Sequence, residues 1–243
     1  MLSRYDDEAF FSEYAKMERS LHGLSSAGEW HQLKAMIPDL EGKGVLDLGC
    51  GYGWHSKFAA ENGALKVLGI DSSPRMIHEA ERRNPDDRID YIVCSIEDYD
   101  YPENTWDFVI SNLVLHYVDS LSDVYRGVYR TLKPSGEFLF NIEHPSFTSG
   151  VNQEWIYDEN GKIVCWPIDN YFYPGIRNTD FLGFDVAKYH HTLTQILMGL
   201  IDCGFEIKAV EEAMPSEEML DVPGMIDEMR RPMMLIVKAV ANK

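Results

Sequence analysis

The chain has 243 residues, 40 of them acidic and 22 basic, for a formal net charge of −18. With 45% hydrophobic and 26% charged residues, the composition excludes disorder as the main state and suits one large domain over residues 1–243. The excess negative charge disfavours nucleic acid and an anionic membrane as partners, since both repel it within a Debye length.

No apolar run reaches the ~18 residues that span a bilayer, and the opening MLSRYDDEAFFSEYAKMERS has no signal-peptide core. Cys50, Cys94, Cys165 and Cys203 form no CxxC pair, which predicts free thiols and a cytoplasmic setting, with one adventitious disulfide as the alternative.

Residues 1–40 read as a helical cover. Phe10, Phe11, Tyr14 and Met17 fall at helical spacing, as do Leu33, Met36 and Ile37, and the Gly23–Gly28 stretch separates the two pieces. Alternation follows. Gly44–Leu48 predicts a buried strand, Trp54–Asn62 a helix, Leu65–Ile70 a strand, and Ser73-Pro74 the start of a helix to Arg83. Tyr91–Cys94 and Phe108–Ile110 predict strands, Leu121–Leu132 a helix stopped by Lys133-Pro134-Ser135-Gly136, and Phe138–Ile142 a fifth strand. This rhythm argues for an α/β fold, a doubly wound parallel sheet covered on both faces.

From residue 145 to 188 the rhythm is lost and aromatics accumulate, among them Phe147, Trp155, Trp166, Tyr171 and Phe184. A β-hairpin is expected from Val151–Ile156 and Lys162–Trp166, within an insertion that reads as a substrate lid or a small satellite core. Thr192–Cys203 predicts a helix stopped by Gly204. Phe205–Val210 and Met233–Ala239 then supply a sixth and seventh strand.

The segment Val45-Leu46-Asp47-Leu48-Gly49-Cys50-Gly51-Tyr52-Gly53 sends a buried strand into alternate glycines and then a helix. Such a corner lets a ligand approach the backbone, and amides at a helix start favour polar or anionic groups. Asp71 ends the second strand, where a carboxylate can accept both hydroxyls of a ribose. Asp47, just before the glycines, suits a cationic group better than a pyrophosphate, unless it is only a cap or turn residue.

These segments resemble the class I S-adenosylmethionine (SAM)-dependent methyltransferases of the small-molecule "type 11" group, through VLDLGCGYG, VLGIDSSPRMI, SIEDYDYPENTWDFVISNLVLHYV and LKPSGEFLF. The resemblance implies a seven-stranded sheet of order 3-2-1-4-5-7-6 with the last strand antiparallel, which matches the seven strands counted above. It implies SAM as cofactor, with S-adenosylhomocysteine as product. Gly49, Gly51 and Gly53 would abut the methionine part and Asp71 would hold the ribose. Ser72, Met76 and Ile96 would flank the adenine. Relatives often carry Asp where this chain has Ser95, so Glu97 is a possible substitute there. Ser111 would end the fourth strand beside the cofactor's amino group, and Tyr14 would close over it unless it only packs in the core.

Methyl transfer from a sulfonium is an in-line displacement that needs alignment and exclusion of water, and a base only when the nucleophile arrives protonated. His144 and His190 are the candidate bases, with His191 and, more weakly, His116 beside them. Each of the first three also suits a cap. No zinc spacing is present and no metal is expected. The partner implied is a small-molecule acceptor, apolar or cationic. A non-catalytic SAM-binding subunit and a nicotinamide oxidoreductase are the competing readings.

Overall fold

A computed structural model of the protein describes residues 4–150 and 153–243. The N-terminal segment holds three short α-helices, α1 (Glu8–Tyr14), α2 (Glu18–His22) and α3 (Trp30–Met36). Asp7 starts α1 by accepting the Phe10 amide, and Gly23, at φ +67, ends α2 against the ring of Trp54.

Strand and helix then alternate through β1 (Gly44–Leu48), α4 (Trp54–Glu61), β2 (Lys66–Asp71), α5 (Pro74–Arg83), β3 (Ile89–Val93), β4 (Trp106–Asn112), α6 (Leu121–Thr131) and β5 (Leu132–Glu143). Ser73 caps α5 through the Met76 amide, with Pro74 in its first turn. β5 starts at Leu132, earlier than expected. The helix stop at Lys133–Gly136 is an excursion between two paired positions, Trp106 with Leu132 and Phe108 with Glu137.

After β5 come α7 (Pro145–Thr148), β6 (Ile156–Tyr157), β7 (Ile163–Cys165), β8 (Gly175–Phe181) and β9 (Phe184–His190). The chain closes with α8 (Leu193–Asp202), β10 (Phe205–Ala213), α9 (Met225–Glu228) and β11 (Met234–Ala241). The large sheet has the order β10-β11-β5-β4-β1-β2-β3. β1 to β5 are parallel, and β11 runs antiparallel to both β5 and β10. This is the order expected from the sequence, since β6 to β9 pair outside the sheet and renumber its last two strands.

The insertion departs from expectation. Val151 and Asn152 of the expected hairpin lie outside the described residues, and the β6–β7 pairing is shorter than foreseen. A longer hairpin, β8–β9, was not foreseen. It turns at Leu182 and Gly183, at φ +59 and +80, with Asp180 accepting the Gly183 amide.

Alternation along β1 divides the core. Leu46 and Leu48 join the cluster under α6 and α8 with Tyr125, Phe138 and Leu200, while Val45 joins Leu33, Ala60 and Phe108 beneath α3 and α4. Each fully buried Leu or Phe here contributes about 1.5–3 kcal/mol.

A third, smaller contact binds the insertion to the β10–β11 connection. The Arg231 guanidinium lies 4.7, 5.0 and 4.2 Å from the ring centres of Phe147, Trp155 and Trp166, and it donates to both carboxylate oxygens of Glu228. Among the described residues no helix is long and apolar enough to cross a membrane, and no cluster of three or more His, Cys, Asp or Glu could hold a metal ion.

Candidate active site

The glycine corner is tied to the end of β2. The amides of Gly49 and Cys50 both donate to the Ile70 carbonyl, at 2.8 and 2.9 Å, and Gly53 donates to the Cys50 carbonyl at 2.8 Å. These amides are spent inside the protein, which reduces the anion-binding character expected of the loop. The three glycines serve different ends. A Cβ on Gly49 would stand 2.2 Å from Val114, and one on Gly53 would stand 2.3 Å from the Tyr91 hydroxyl. A Cβ on Gly51 would meet nothing within 4 Å, because this residue faces open space.

Asp71 closes that space. Its Oδ2 accepts the Gly51 amide at 3.0 Å and its Oδ1 accepts the Ser73 amide at 2.8 Å, so each oxygen keeps a lone pair for a ligand. Burial pushes its pKa up to about 6, against the pull of these two N–H bonds, and nearby Asp6 adds to the rise.

A cleft of about 1450 Å³ starts at this corner and runs along the carboxyl ends of the strands to the insertion. Gly49, Gly51, Asp71, Ser72, Met76 and Tyr14 line its near part. Ser95, Ile96 and Glu97 line it beyond β3, where the Ser95 hydroxyl donates to Asp98 at 2.8 Å and accepts the Asp98 amide. Above the corner, Arg19 donates to both oxygens of the buried Glu29, at 3.1 and 2.8 Å. Trp54 and His55 line the same region, and their buried Nε1 and Nε2 atoms have no partner. The far part holds His116, Tyr117, Glu143 and Lys188.

A family profile described as "Methyltransferase domain" matches residues 46–140. A Listeria monocytogenes structure described as S-adenosylmethionine dependent methyltransferase is 48% identical and has a TM-score of 0.86, covering 90% of this chain and 99% of that one. A Mesorhizobium loti structure of the same description is 39% identical with a TM-score of 0.84, covering 90% and 100%. The chain belongs to the SAM-dependent methyltransferases. Among curated relatives, malonyl-[acyl-carrier protein] O-methyltransferase of Enterobacter lignolyticus is 33% identical over 123 residues, which is 51% of this chain and 48% of that protein.

The cofactor of this methyltransferase is SAM. The open face of Gly51 and the unpartnered His55 and Trp54 nitrogens leave both room and polar atoms for such a molecule.

Three residues expected at the cofactor stand off the cleft wall. Asp47 faces α4, because alternation along β1 turns it to the same side as Val45. It is 1% exposed, accepts the Ser56 hydroxyl at 2.6 Å, and is pushed by burial up to about 7. Ser111 is fully buried and donates to the Leu48 carbonyl at 3.0 Å, while its neighbours Asn112 and Leu113 reach the cleft. Gly53 is the N-cap of α4.

Both candidate bases are also engaged elsewhere in this methyltransferase. His144 caps α7 by accepting the Ser146 amide through Nδ1, and its Nε2 lies 3.2 Å from Glu212. His190 is fully buried, with Nδ1 2.6 Å from the Thr148 hydroxyl and Nε2 2.8 Å from the Tyr171 carbonyl. Neither lines the cleft. His191 is likewise held, by the Val118 carbonyl at 2.8 Å. His116, the weakest candidate, is the histidine that faces the far part.

Sequence reasoning missed Lys188, Tyr5 and Asp98. Tyr5 lines the cleft with its hydroxyl 3.2 Å from that of Tyr117. The one available signal was the lysine at period 2 inside Phe184–His190, a pattern that places it on the inner face with Val186.

Proposed function

We propose that the enzyme methylates a small, mainly apolar acceptor, and that the chain works chiefly by alignment and exclusion of water. The carrying observation is the continuous cleft of about 1450 Å³ from the glycine corner to the aromatic insertion. It exceeds the ~300–1,000 Å³ that holds one drug-sized ligand, so it suits a cofactor and an acceptor together.

When bound, SAM supplies an activated methyl group on a sulfonium. In this proposal Asp71 accepts the ribose hydroxyls, and Gly51 allows close backbone approach. Met76 and Ile96 hold the adenine, and Glu97 or Asp98 accepts from its amino group. Arg19, anchored by Glu29, covers the methionine end together with Tyr14. Residues 1–40 act as the cover and residues 145–188 as the lid over the acceptor, within one domain. Dry surfaces from both would keep water from the transfer.

A net charge of −18 supports a small acceptor over a nucleic acid. A non-catalytic subunit has no need of the second compartment. The test is incubation of the full chain with SAM and a panel of phenols, amines and acids, with S-adenosylhomocysteine and methylated product measured by mass spectrometry. Cofactor binding without transfer to any small acceptor, alongside transfer to RNA or only with a partner protein, overturns the proposal.

A further inference from the structure

Two distant parts of the chain meet above the cleft. The turn Arg4–Asp6 and α1 come from the N-terminal segment, and the β8–β9 hairpin comes from the insertion. Phe10 of α1 joins them. Its ring is fully buried, with its centre 5.9 Å from that of Phe181 and 5.6 Å from that of Phe184. Those two residues pair with each other across the hairpin turn. The Arg4 guanidinium covers the joint, 5.9 Å from the ring centre of Phe10 and 5.2 Å from that of Phe184.

Each partner is also anchored to the carboxyl edge of the sheet. On the hairpin, Lys188 Nζ donates to Glu143 Oε1 at 2.5 Å, at the end of β5. On the N-terminal side, Asp6 accepts the Ser73 hydroxyl at 2.6 Å, and the Ser73 amide donates to Asp71. The Tyr5 hydroxyl lies 3.2 Å from that of Tyr117. The two segments therefore form one span from the tip of β2 to the tip of β5, closed at Phe10. Tyr5, edge-on to Phe10 at 5.1 Å, and Tyr14 line the cleft beneath the span.

We infer that the Phe10 joint is a gate, and that cofactor exchange and access to the acceptor compartment share this one opening. The inference rests on the placement of SAM at the Asp71 corner and of the insertion over the acceptor, as proposed above. A cofactor at that corner lies under Tyr5 and Tyr14, which lift away when Phe10 leaves its place between Phe181 and Phe184. The joint consists of ring and cation contacts, and parting it leaves both anchors intact. An acceptor held beneath the hairpin then keeps the span shut over the cofactor until transfer is complete.

Phe10 and Phe184 stand off the cleft wall. Neither can touch a ligand there, so weakening their contact acts on opening alone. An easier opening speeds entry and exit together, whereas a damaged binding site speeds exit only. This difference separates a gate from a packing contact.

The test follows S-adenosylhomocysteine binding to the full chain and its release by stopped-flow tryptophan fluorescence, with Trp54 on the cleft wall as reporter. Phe184→Ala should raise the association and dissociation rates each by about tenfold, and the dissociation constant should change much less than either rate. Phe10→Leu, which keeps the position filled, should give a smaller rise in both. Combining Phe10→Leu with Phe184→Ala should add little to Phe184→Ala alone, because both open the same joint. Unchanged rates in Phe184→Ala, or a rise in dissociation alone, overturn the gate and leave the placement of SAM intact. Unchanged affinity for S-adenosylhomocysteine in Asp71→Ala overturns that placement and the gate with it.

Discussion

The Asp71 carboxylate accepts the Gly51 amide at 3.0 Å, so the tip of β2 and the glycine corner form one unit with a shared charge. That unit faces the cleft, and the protonation of one side chain governs what it can accept.

Asp71→Ala should weaken SAM binding by about 1–3 kcal/mol through loss of charge-assisted hydrogen bonds. With the Asp71 pKa near 6, affinity in the wild type should fall as pH drops through that value. Asp71→Asn should bind weakly and without that inflection. Calorimetry on either side of pH 6 checks both, and an unchanged affinity in Asp71→Ala would remove the residue from the site.

Gly49→Ala and Gly51→Ala should separate packing from ligand contact. Gly49 is closed in by Val114, so its variant should lose thermal stability. Gly51 meets open space, and although its φ of +52 adds some strain, the larger loss should be in cofactor affinity. Melting curves with and without SAM report both quantities. A Gly51→Ala protein that binds normally would place the cofactor elsewhere.

Asp47→Asn should change the pH dependence of stability. The Asp47 pKa rises on folding from 3.8 to about 7, so its contribution is fully present below pH 3.8 and is lost as pH rises through about 7. Asparagine still accepts the Ser56 hydroxyl but carries no charge. The variant should therefore gain on the wild type as pH rises, by up to about 3–4 kcal/mol. Denaturant titrations across that window test the sign, and a constant difference would contradict it.

Lys188→Met should cost about 3–5 kcal/mol, because it leaves the Glu143 carboxylate buried without its cation. Adding Glu143→Gln should recover part of the loss. His116 and Lys188 hold the Glu143 pKa below its ordinary 4.5 although burial alone would raise it. The pair's contribution is thus present above pH 4.5 and lost as pH falls through the depressed value. Urea unfolding of the single and double variants measures the coupling.

The sheet was readable from sequence because most strands carry a local signature, a short apolar run with a glycine or proline close to one end. That Asp71 and Gly51 share a cleft wall was readable for a related reason, since strand ends in this topology face one cleft. Asp47 was misplaced because the motif marks proximity in the chain, whereas strand alternation decides the face. His144 and His190 lie off the cleft wall because one caps α7 and the other is held between the Thr148 hydroxyl and the Tyr171 carbonyl, and neither engagement is written in local spacing. The Glu143–Lys188 pair spans 45 positions and depends on how the β8–β9 hairpin docks, which no local pattern encodes.

Arg231 is shared among Phe147, Trp155 and Trp166 of the insertion and Glu228 of the β10–β11 connection. A chimera that grafts another roof onto this scaffold must therefore carry over both stretches or lose the clasp between them. Changes in the insertion and changes in foldedness are inherited together at that seam.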